Sequence, residues 1–181
     1  MNARDKILKR LSESMEPPAR RPEIEVETMQ FDDKVRAFKE ALEAAGGACV
    51  EAKERVGKAL DETFTEAKKV CDTTAQDRKE ADPFETDLLI VEAAFGVAEN
   101  GAVWIAWQDR YPRSLLTLSE NIAVVLRRDR LVHTMQQAYR HIDLKETSYG
   151  LFLCGPSKTA DIEQSLVIGA HGAMRLVVLL V

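Results

Sequence analysis

The sequence predicts an α/β protein, specifically a three-layer α/β/α domain with a mainly parallel sheet. Short, continuous apolar runs fill the second half of the chain, as expected for strands that are buried on both faces. These runs cover residues 87–95, 102–107, 122–126, 151–154 and 176–181. Between two of the runs, apolar residues recur at helical spacing, as a crossover helix between parallel strands requires. The residues of this stripe are Leu131, Met135, Ala138 and Ile142.

The first half of the chain predicts two amphipathic helices and a short strand. The first helix begins near Asp33, and Gly46-Gly47 ends it by tolerating the left-handed conformation. Its apolar residues are Val35, Phe38, Leu42 and Ala45. A strand is expected over residues 48–51, and a second helix follows before Val70. The apolar residues of that second helix are Val56, Leu60, Phe64 and Ala67.

Domain organisation follows from the N-terminal composition. Residues 1–28 predict a short helix and an extended linker that holds three of the chain's 6 prolines. The apolar face of this helix is formed by Ile7, Leu8, Leu11 and Met15. Residues 29–181 then form a single domain, since a chain of 181 residues with 45% apolar residues can bury a core of its own. We expect deletion of residues 1–28 to leave that domain folded.

The charge balance excludes nucleic acid and anionic lipid as main partners. The chain carries 25 basic and 30 acidic residues, a formal charge of −5, and neither half concentrates positive charge. We find no apolar run of signal-peptide length and none of the roughly 20 residues that a membrane span needs, so a cytoplasmic protein is expected. Cys49, Cys71 and Cys154 are too widely spaced for a disulfide framework or a metal site.

Residues 155–163, GPSKTADIE, form the first candidate site. They leave a buried strand and are expected to enter a helical turn, at the place where open α/β sheets bind ligands. Ser157 and Thr159 can hold a small anionic ligand such as a phosphate or carboxylate, with Lys158 as counter-charge. The alternative is a capped turn, because Asp161 and Glu163 already place negative charge there.

Two further segments carry polar groups beside glycines. In residues 96–101, Glu99 stands next to the Asn-Gly turn and can act as a base or nucleophile. The alternative is a hairpin with Glu99 in water, and Asn-Gly itself predicts an antiparallel pair of strands. In residues 169–172, His171 lies between glycines that let a ligand approach the backbone, although a structural histidine fits equally well.

Other distinctive residues are assigned no chemistry. We place His133 and His141 on the predicted 131–142 helix as surface groups, because their spacing does not make a helical metal pair. Trp104 and Trp107 are expected on opposite faces of one strand. The basic segment 127–130 is interpreted as a solvated loop.

Three strings together resemble the lactate utilisation protein C family, also called the LUD domain. They are GVAENGAVWIAW, IAVVLRRDRLVHTMQQA and GPSKTADIEQSLVIGAHGAMRLVVLLV, and the resemblance covers roughly residues 86–181. The chain departs from the family pattern at Ala102, where a Thr is usual, and at Ala173, where a Pro is frequent. The positions that match are Glu99, Gly101, Gly155, Ser157, Thr159, Asp161, Glu163, His171 and Gly172.

The resemblance implies a LUD-type domain over residues 29–181, in the fold group of glucosamine-6-phosphate deaminase, ribose-5-phosphate isomerase and the CoA transferases. It also implies a role in oxidising L-lactate to pyruvate beside iron–sulfur partner subunits. We expect this chain to bind no cofactor itself. Glu99, Asp161 and His171 would be catalytic, and the other matched residues would bind ligand. Two alternatives stay open: a stand-alone transferase or isomerase acting on a CoA thioester, sugar phosphate or nucleotide, and a non-catalytic interaction module.

Overall fold

A computed structural model describes residues 2–14, 29–52, 56–75, 81–107, 110–143, 147, 149–159, 167–169 and 172–181. For Thr159 and Val167 it describes the backbone alone. The helices are α1 (Ala3–Ser14), α2 (Lys34–Ala44), α3 (Val56–Thr63), α4 (Leu115–Leu118) and α5 (Met135–Arg140). The strands are β1 (Ala48–Glu51), β2 (Val70–Asp72), β3 (Leu88–Glu92), β4 (Phe95–Val97), β5 (Val103–Trp107), β6 (Asn121–Leu126), β7 (Leu131–Val132), β8 (Tyr149–Leu153), β9 (Lys158–Thr159), β10 (Val167–Ile168) and β11 (Arg175–Leu180).

A five-stranded parallel sheet forms the centre of the fold, with strand order β1-β11-β6-β3-β2. The central strands β6 and β11 come from the apolar runs 122–126 and 176–181, and Val178 of β11 lies opposite Val124 of β6. Both of these valines are fully buried. The prediction of an α/β fold with a mainly parallel sheet is therefore confirmed.

Alternate residues of this sheet face two different apolar clusters, as the two-residue period of a strand requires. On one face, Leu89 and Val178 pack with Phe38 and Leu42 of α2. On the other face, Ile90 and the strands beside it pack against α3 and against Phe64, which follows α3. Helices therefore cover both faces of the sheet, which gives the three layers.

A smaller sheet, with order β7-β4-β5-β8, lies against the α2 face of the parallel sheet. Strands β4 and β5 pair in antiparallel fashion around Asn100 and Gly101, so the hairpin prediction is correct. Trp107 joins the large cluster that includes α2, whereas Trp104 packs with Phe95 in a separate cluster on the outer face. The two tryptophans therefore face opposite sides of β5, as the sequence predicts.

Several predicted elements differ in extent or position. The run 151–154 was expected to be a central strand, but it forms the edge strand β8 of the smaller sheet, where it pairs only with β5 among the described strands. The predicted 131–142 helix shortens to α5, which connects β7 and β8 at opposite edges of that sheet. His133 and His141 consequently lie outside the helix, and the His133 Nδ1 atom accepts a hydrogen bond from the Phe31 amide (3.0 Å).

The N-terminal helix forms where the sequence predicts it, and each of its residues is exposed. Ile7 is 59% exposed and Leu11 is 54% exposed, so the apolar face of α1 has no cover in the described structure. The linker assigned to residues 15–28 lies outside the described residues, and the domain boundary at residue 28 stays a prediction. No helix in the described ranges combines the length and the apolar character that a membrane crossing requires.

Candidate functional site

Glu99 and Asn100 lie in the turn between β4 and β5, and both side chains hold neighbouring backbone. The exposed Glu99 carboxylate accepts a hydrogen bond from the amide of Met135, the first residue of α5 (2.9 Å). A carboxylate at this position satisfies an otherwise unpaired amide and favourably opposes the helix dipole. The Asn100 side chain accepts from the amide of Ala102 (3.0 Å). Glu99 therefore joins the hairpin to the start of α5.

Glycines bring two of the predicted segments against the C-terminal end of α2. A Cβ atom added to Gly101 would lie 2.6 Å from the Cα atom of Leu42, and one added to Gly155 would lie 3.0 Å from the carbonyl carbon of Ala45. Both glycines have positive φ angles, 72° and 73°. The Lys158 ammonium donates to the Ala45 carbonyl, so this lysine caps the negative end of α2.

Contacts connect the three predicted segments where the structure describes them. The Cys154 thiol donates to the carbonyl of Asn100 (3.0 Å), which joins the hairpin turn to the segment after β8. The Ser157 amide donates to the carbonyl of Ala173 (2.8 Å), and a Cβ atom on Gly172 would lie 2.9 Å from that of Ser157. Asp161, Glu163 and His171 lie outside the described residues, as does the side chain of Thr159. Their assignment to one site with Glu99 stays a prediction.

The surroundings of residues 155–158 differ from those expected. The strand that precedes them is β8 of the smaller sheet, and Lys158 and Thr159 form β9, which pairs with β10. The rest of the expected helical turn, residues 160–163, lies outside the described residues. The Ser157 amide donates to Ala173, which precedes β11. A Cβ atom added to Gly47, which precedes β1, would lie 3.4 Å from the Cα atom of Gly155. The segment therefore lies at the amino edge of the parallel sheet, whereas open α/β sheets bind ligands beyond the carboxyl edge.

The carboxyl edge carries a groove that the sequence analysis did not identify. One cavity there has a volume of about 130 Å³ and a second has about 370 Å³, and the two share Glu92 and Ala106 as lining residues. The other polar and aromatic lining residues are Thr73, Thr74, Trp107, Arg110, Tyr111, Arg127 and Arg130. The available signal was the basic segment 127–130 directly after a buried strand, which we interpreted as a solvated loop.

An ion-pair triad lies at the carboxyl end of β1. The Glu51 carboxylate accepts hydrogen bonds from the ammonium of Lys39 and from the guanidinium of Arg128, the second at 2.5 Å. The hydrogen bond from Lys39, followed by that from Arg128, lowers the pKa of Glu51 to about 2. Because Glu51 and Arg128 are each 40% exposed, solvent screens this interaction, and we expect its contribution to stability to be modest.

This triad predicts a pH dependence of stability. The folded-state pKa of Glu51 is depressed, so its contribution is present above the ordinary glutamate pKa of about 4.3 and is lost as the pH falls towards 2. Thermal midpoints of the wild type and of Glu51→Gln should therefore differ at about pH 6 and converge only as the pH approaches about 2. Glu62→Gln, on the exposed face of α3, is the matched control. A difference that stays constant with pH would contradict the assignment.

The three thiols lie apart from one another. Cys49 is on β1 and Cys71 is on β2, the opposite edges of the five-stranded sheet, and Cys154 follows β8. Burial raises the pKa of the half-buried Cys49 thiol to about 11, which disfavours the thiolate that metal binding uses. Within the described ranges, no three side chains from His, Cys, Asp and Glu are grouped as a metal site would need.

The fold places this chain among the α/β proteins with a mainly parallel sheet. Comparison with known proteins identifies its family. The family model of the LUD domain matches residues 52–181. A crystal structure of a DUF162 family protein from Deinococcus radiodurans superposes with a TM-score of 0.60 at 17% identity, over 81% of this chain and 95% of that chain. The chain belongs to the LUD domain family, so the predicted family and fold are confirmed.

Curated relatives match part of the chain. Lactate utilization protein C of Halalkalibacterium halodurans is 32% identical over 112 residues, which cover 59% of this chain and 49% of that protein. The protein of the same name from Shouchella clausii is 34% identical over 94 residues, which cover 49% of this chain and 41% of that protein. The chain spans about half the length, or less, of these relatives.

Proposed function

We propose that this chain is a cytoplasmic component of a lactate utilisation system. The observation that carries the proposal is the LUD domain match over residues 52–181, together with several relatives that are named lactate utilization protein C. In this proposal the system oxidises L-lactate to pyruvate, and iron–sulfur subunits other than this chain carry the electrons. The polar segments that contain Glu99, Ser157 and His171 form the region through which this chain acts.

The distribution of thiols supports the assignment of clusters to partner subunits. A typical cluster is held by four cysteine thiolates. This chain has 3 cysteines, and Cys49 and Cys71 are separated by three intervening strands. At roughly 4.8 Å per strand, that separation is far greater than the size of one cluster. In the proposed system, the clusters are therefore assigned to subunits other than this chain.

The setting of Glu99 favours the lactate system over a transferase. A nucleophilic carboxylate is most effective in a closed site from which water is excluded. The Glu99 side chain is exposed, and one of its oxygens holds the first amide of α5. Its position between the hairpin and α5 suits a group that organises a binding surface.

Growth on lactate tests the proposal. In the organism that carries this gene, deletion should abolish growth on L-lactate and leave growth on pyruvate intact, and the wild-type gene should restore it. Glu99→Gln, Asp161→Asn and His171→Ala should fail to restore growth although their thermal midpoints stay within a few degrees of wild type, because they change polar side chains and leave the apolar core residues unaltered.

Glu62→Gln on the exposed face of α3 is the control and should restore growth fully. Normal growth of the deletion strain on lactate would reject the proposed function. If the three site variants restored growth as well as Glu62→Gln does, the function would stand and the assigned residues would be rejected.

A further inference from the structure

We propose that the groove at the carboxyl edge of the parallel sheet binds a small hydroxycarboxylate of the lactate type. Arg130 would hold the carboxylate of the ligand, and Glu92 would accept a hydrogen bond from its hydroxyl group. The ligand class rests on the proposed function, whereas the location rests on the structure alone. This site is separate from the segments that contain Glu99 and Ser157.

The groove lies where the two sheets part. Strand β3 ends at Glu92, and the chain passes through Ala93 and Ala94 into β4 of the smaller sheet. The lining residues follow the carboxyl ends of three adjacent parallel strands: Thr73 follows β2, Glu92 ends β3, and Arg127 follows β6. Loops beyond the carboxyl ends of parallel strands are the general location of ligand sites in open α/β sheets. The position therefore fits a binding site on topological grounds.

The charge of the groove differs from that of the chain. The chain has a formal charge of −5, yet the described lining of the two cavities contains three arginines and one acidic residue, Glu92. Such a concentration of guanidinium groups attracts anions, because each guanidinium stays protonated and offers paired N–H donors to a carboxylate. Asp129 pairs with Arg127 beside the groove and offsets one of these charges, so the described part of the groove is weakly cationic on an acidic protein.

Two of the three arginines already have partners. Arg127 forms an ion pair with Asp129 (2.8 Å). Arg110 donates to the carbonyl of Thr73 (2.7 Å) and lies over the ring of Tyr111. These contacts fix the walls of the groove and leave the third arginine as the group that can receive a ligand.

Arg130 and Glu92 are the remaining charges, and both line the cavity of about 370 Å³. Neither side chain forms a hydrogen bond or an ion pair with a residue that the structure describes, although Glu92 lies within the electrostatic reach of Arg127, and Arg130 within that of Asp129. Both side chains are exposed and hydrated, so a ligand must replace their water contacts: a carboxylate can accept from Arg130, and a hydroxyl group can donate to Glu92. A simple carboxylate satisfies only Arg130. This difference predicts selectivity for hydroxycarboxylates.

The indole N–H signals of the two tryptophans can be used to measure ligand binding in the groove. The Trp107 indole lines the groove and donates to the Tyr111 carbonyl (3.1 Å), whereas Trp104 packs on the outer face of the smaller sheet. In two-dimensional NMR spectra of the ¹⁵N-labelled full chain, L-lactate should shift the Trp107 indole N–H signal in a saturable manner and leave that of Trp104 in place. Propionate, which lacks the hydroxyl, and lactamide, which lacks the charge, should bind more weakly.

Two variants test the assigned contacts. Arg130→Gln should weaken L-lactate binding about tenfold or more, because it removes a charge-assisted hydrogen bond to the carboxylate. Glu92→Gln should reduce the preference for L-lactate over propionate. Arg36→Gln, at an exposed position on α2, is the matched control and should bind L-lactate as the wild type does. All three positions are exposed, so circular dichroism should show unchanged folding.

Several results would overturn the site. They are an unshifted Trp107 signal throughout the titration, equal shifts of Trp104 and Trp107, or unchanged binding in Arg130→Gln. Growth of the deletion strain on L-lactate distinguishes a failure of the groove assignment from a failure of the proposed function. If lactate growth depends on the gene but the purified chain does not bind L-lactate, only the groove assignment is wrong. If the deletion strain grows normally, the choice of ligand class fails together with the proposed function.

Discussion

Replacement of Gly101 by alanine should lower the free energy of unfolding by about 2–5 kcal/mol. Gly101 has φ 72°, a conformation that costs a residue with a Cβ roughly 1–2 kcal/mol. The added Cβ would also lie 2.6 Å from the Cα of Leu42 and 2.9 Å from the carbonyl carbon of Ala41. Because these are backbone atoms of α2, they cannot yield without moving the helix. Urea denaturation followed by circular dichroism measures the loss.

Gly57 provides the matched control for this substitution. It lies in α3, where an added Cβ meets no atom within 4 Å, so Gly57→Ala should stabilise the protein by about 0.5–1 kcal/mol. A loss of stability in Gly101→Ala and a gain in Gly57→Ala would show that the turn packs against α2 only because Gly101 has no side chain. A loss no greater than the roughly 1–2 kcal/mol of the positive φ would mean that α2 and the hairpin separate to admit the added Cβ. Gly101 would then be available for the ligand role that its motif suggests.

Strands were the best-predicted part of this fold, because their signal is local. The runs 122–126 and 176–181 became the buried central strands β6 and β11, and residues 48–51 formed β1 as expected. A strand that is covered on both faces has no polar face, so a continuous apolar run suffices to identify it. The Asn100-Gly101 pair likewise predicted the hairpin from turn chemistry alone.

Membership of a particular sheet could not be derived from such runs. The run 151–154 is as apolar as those of the central sheet, yet it forms an edge strand of the smaller sheet. Pairing between distant segments decides the strand order of each sheet, which is β1-β11-β6-β3-β2 in the parallel sheet and β7-β4-β5-β8 in the smaller one. Local periodicity contains no information on these partners. The predicted helix over 131–142 was too long for a related reason, because pairing with β4 draws Leu131 and Val132 into β7.

The candidate site was harder to predict because one residue type serves several roles. Glu99 stood out beside a tight turn, but the partner of its carboxylate, the Met135 amide, is 36 residues away. Lys158 was assigned as a counter-charge for an anion, whereas it caps the C-terminal end of α2. The groove at the carboxyl edge depends on where two sheets part. Only the tertiary structure brings Thr73, Glu92 and Arg130 to the same edge.

Replacement of Phe38 by alanine should destabilise the protein by about 3–5 kcal/mol. Phe38 is fully buried on the inner face of α2, within the cluster that contains Leu126 and Leu131. A Cβ atom on Gly96 would lie 3.2 Å from the Phe38 ring, so the ring fills the space that this glycine leaves in β4. The truncated side chain would lose its transfer free energy and leave a cavity beside both sheets, since the surrounding backbone can collapse only partly.

Phe84→Ala is the control that separates this packing effect from a general effect of losing an aromatic ring. Phe84 is 84% exposed, so Phe84→Ala should change the free energy of unfolding by less than about 0.5 kcal/mol. The two variants remove the same atoms, and urea denaturation of both measures the difference that burial makes. A cost near 1 kcal/mol for Phe38→Ala would show that α2 packs loosely on the sheets. The contacts of Gly101 and Lys158 with its C-terminal end would then be too mobile to position the predicted site, because all of them depend on where α2 lies.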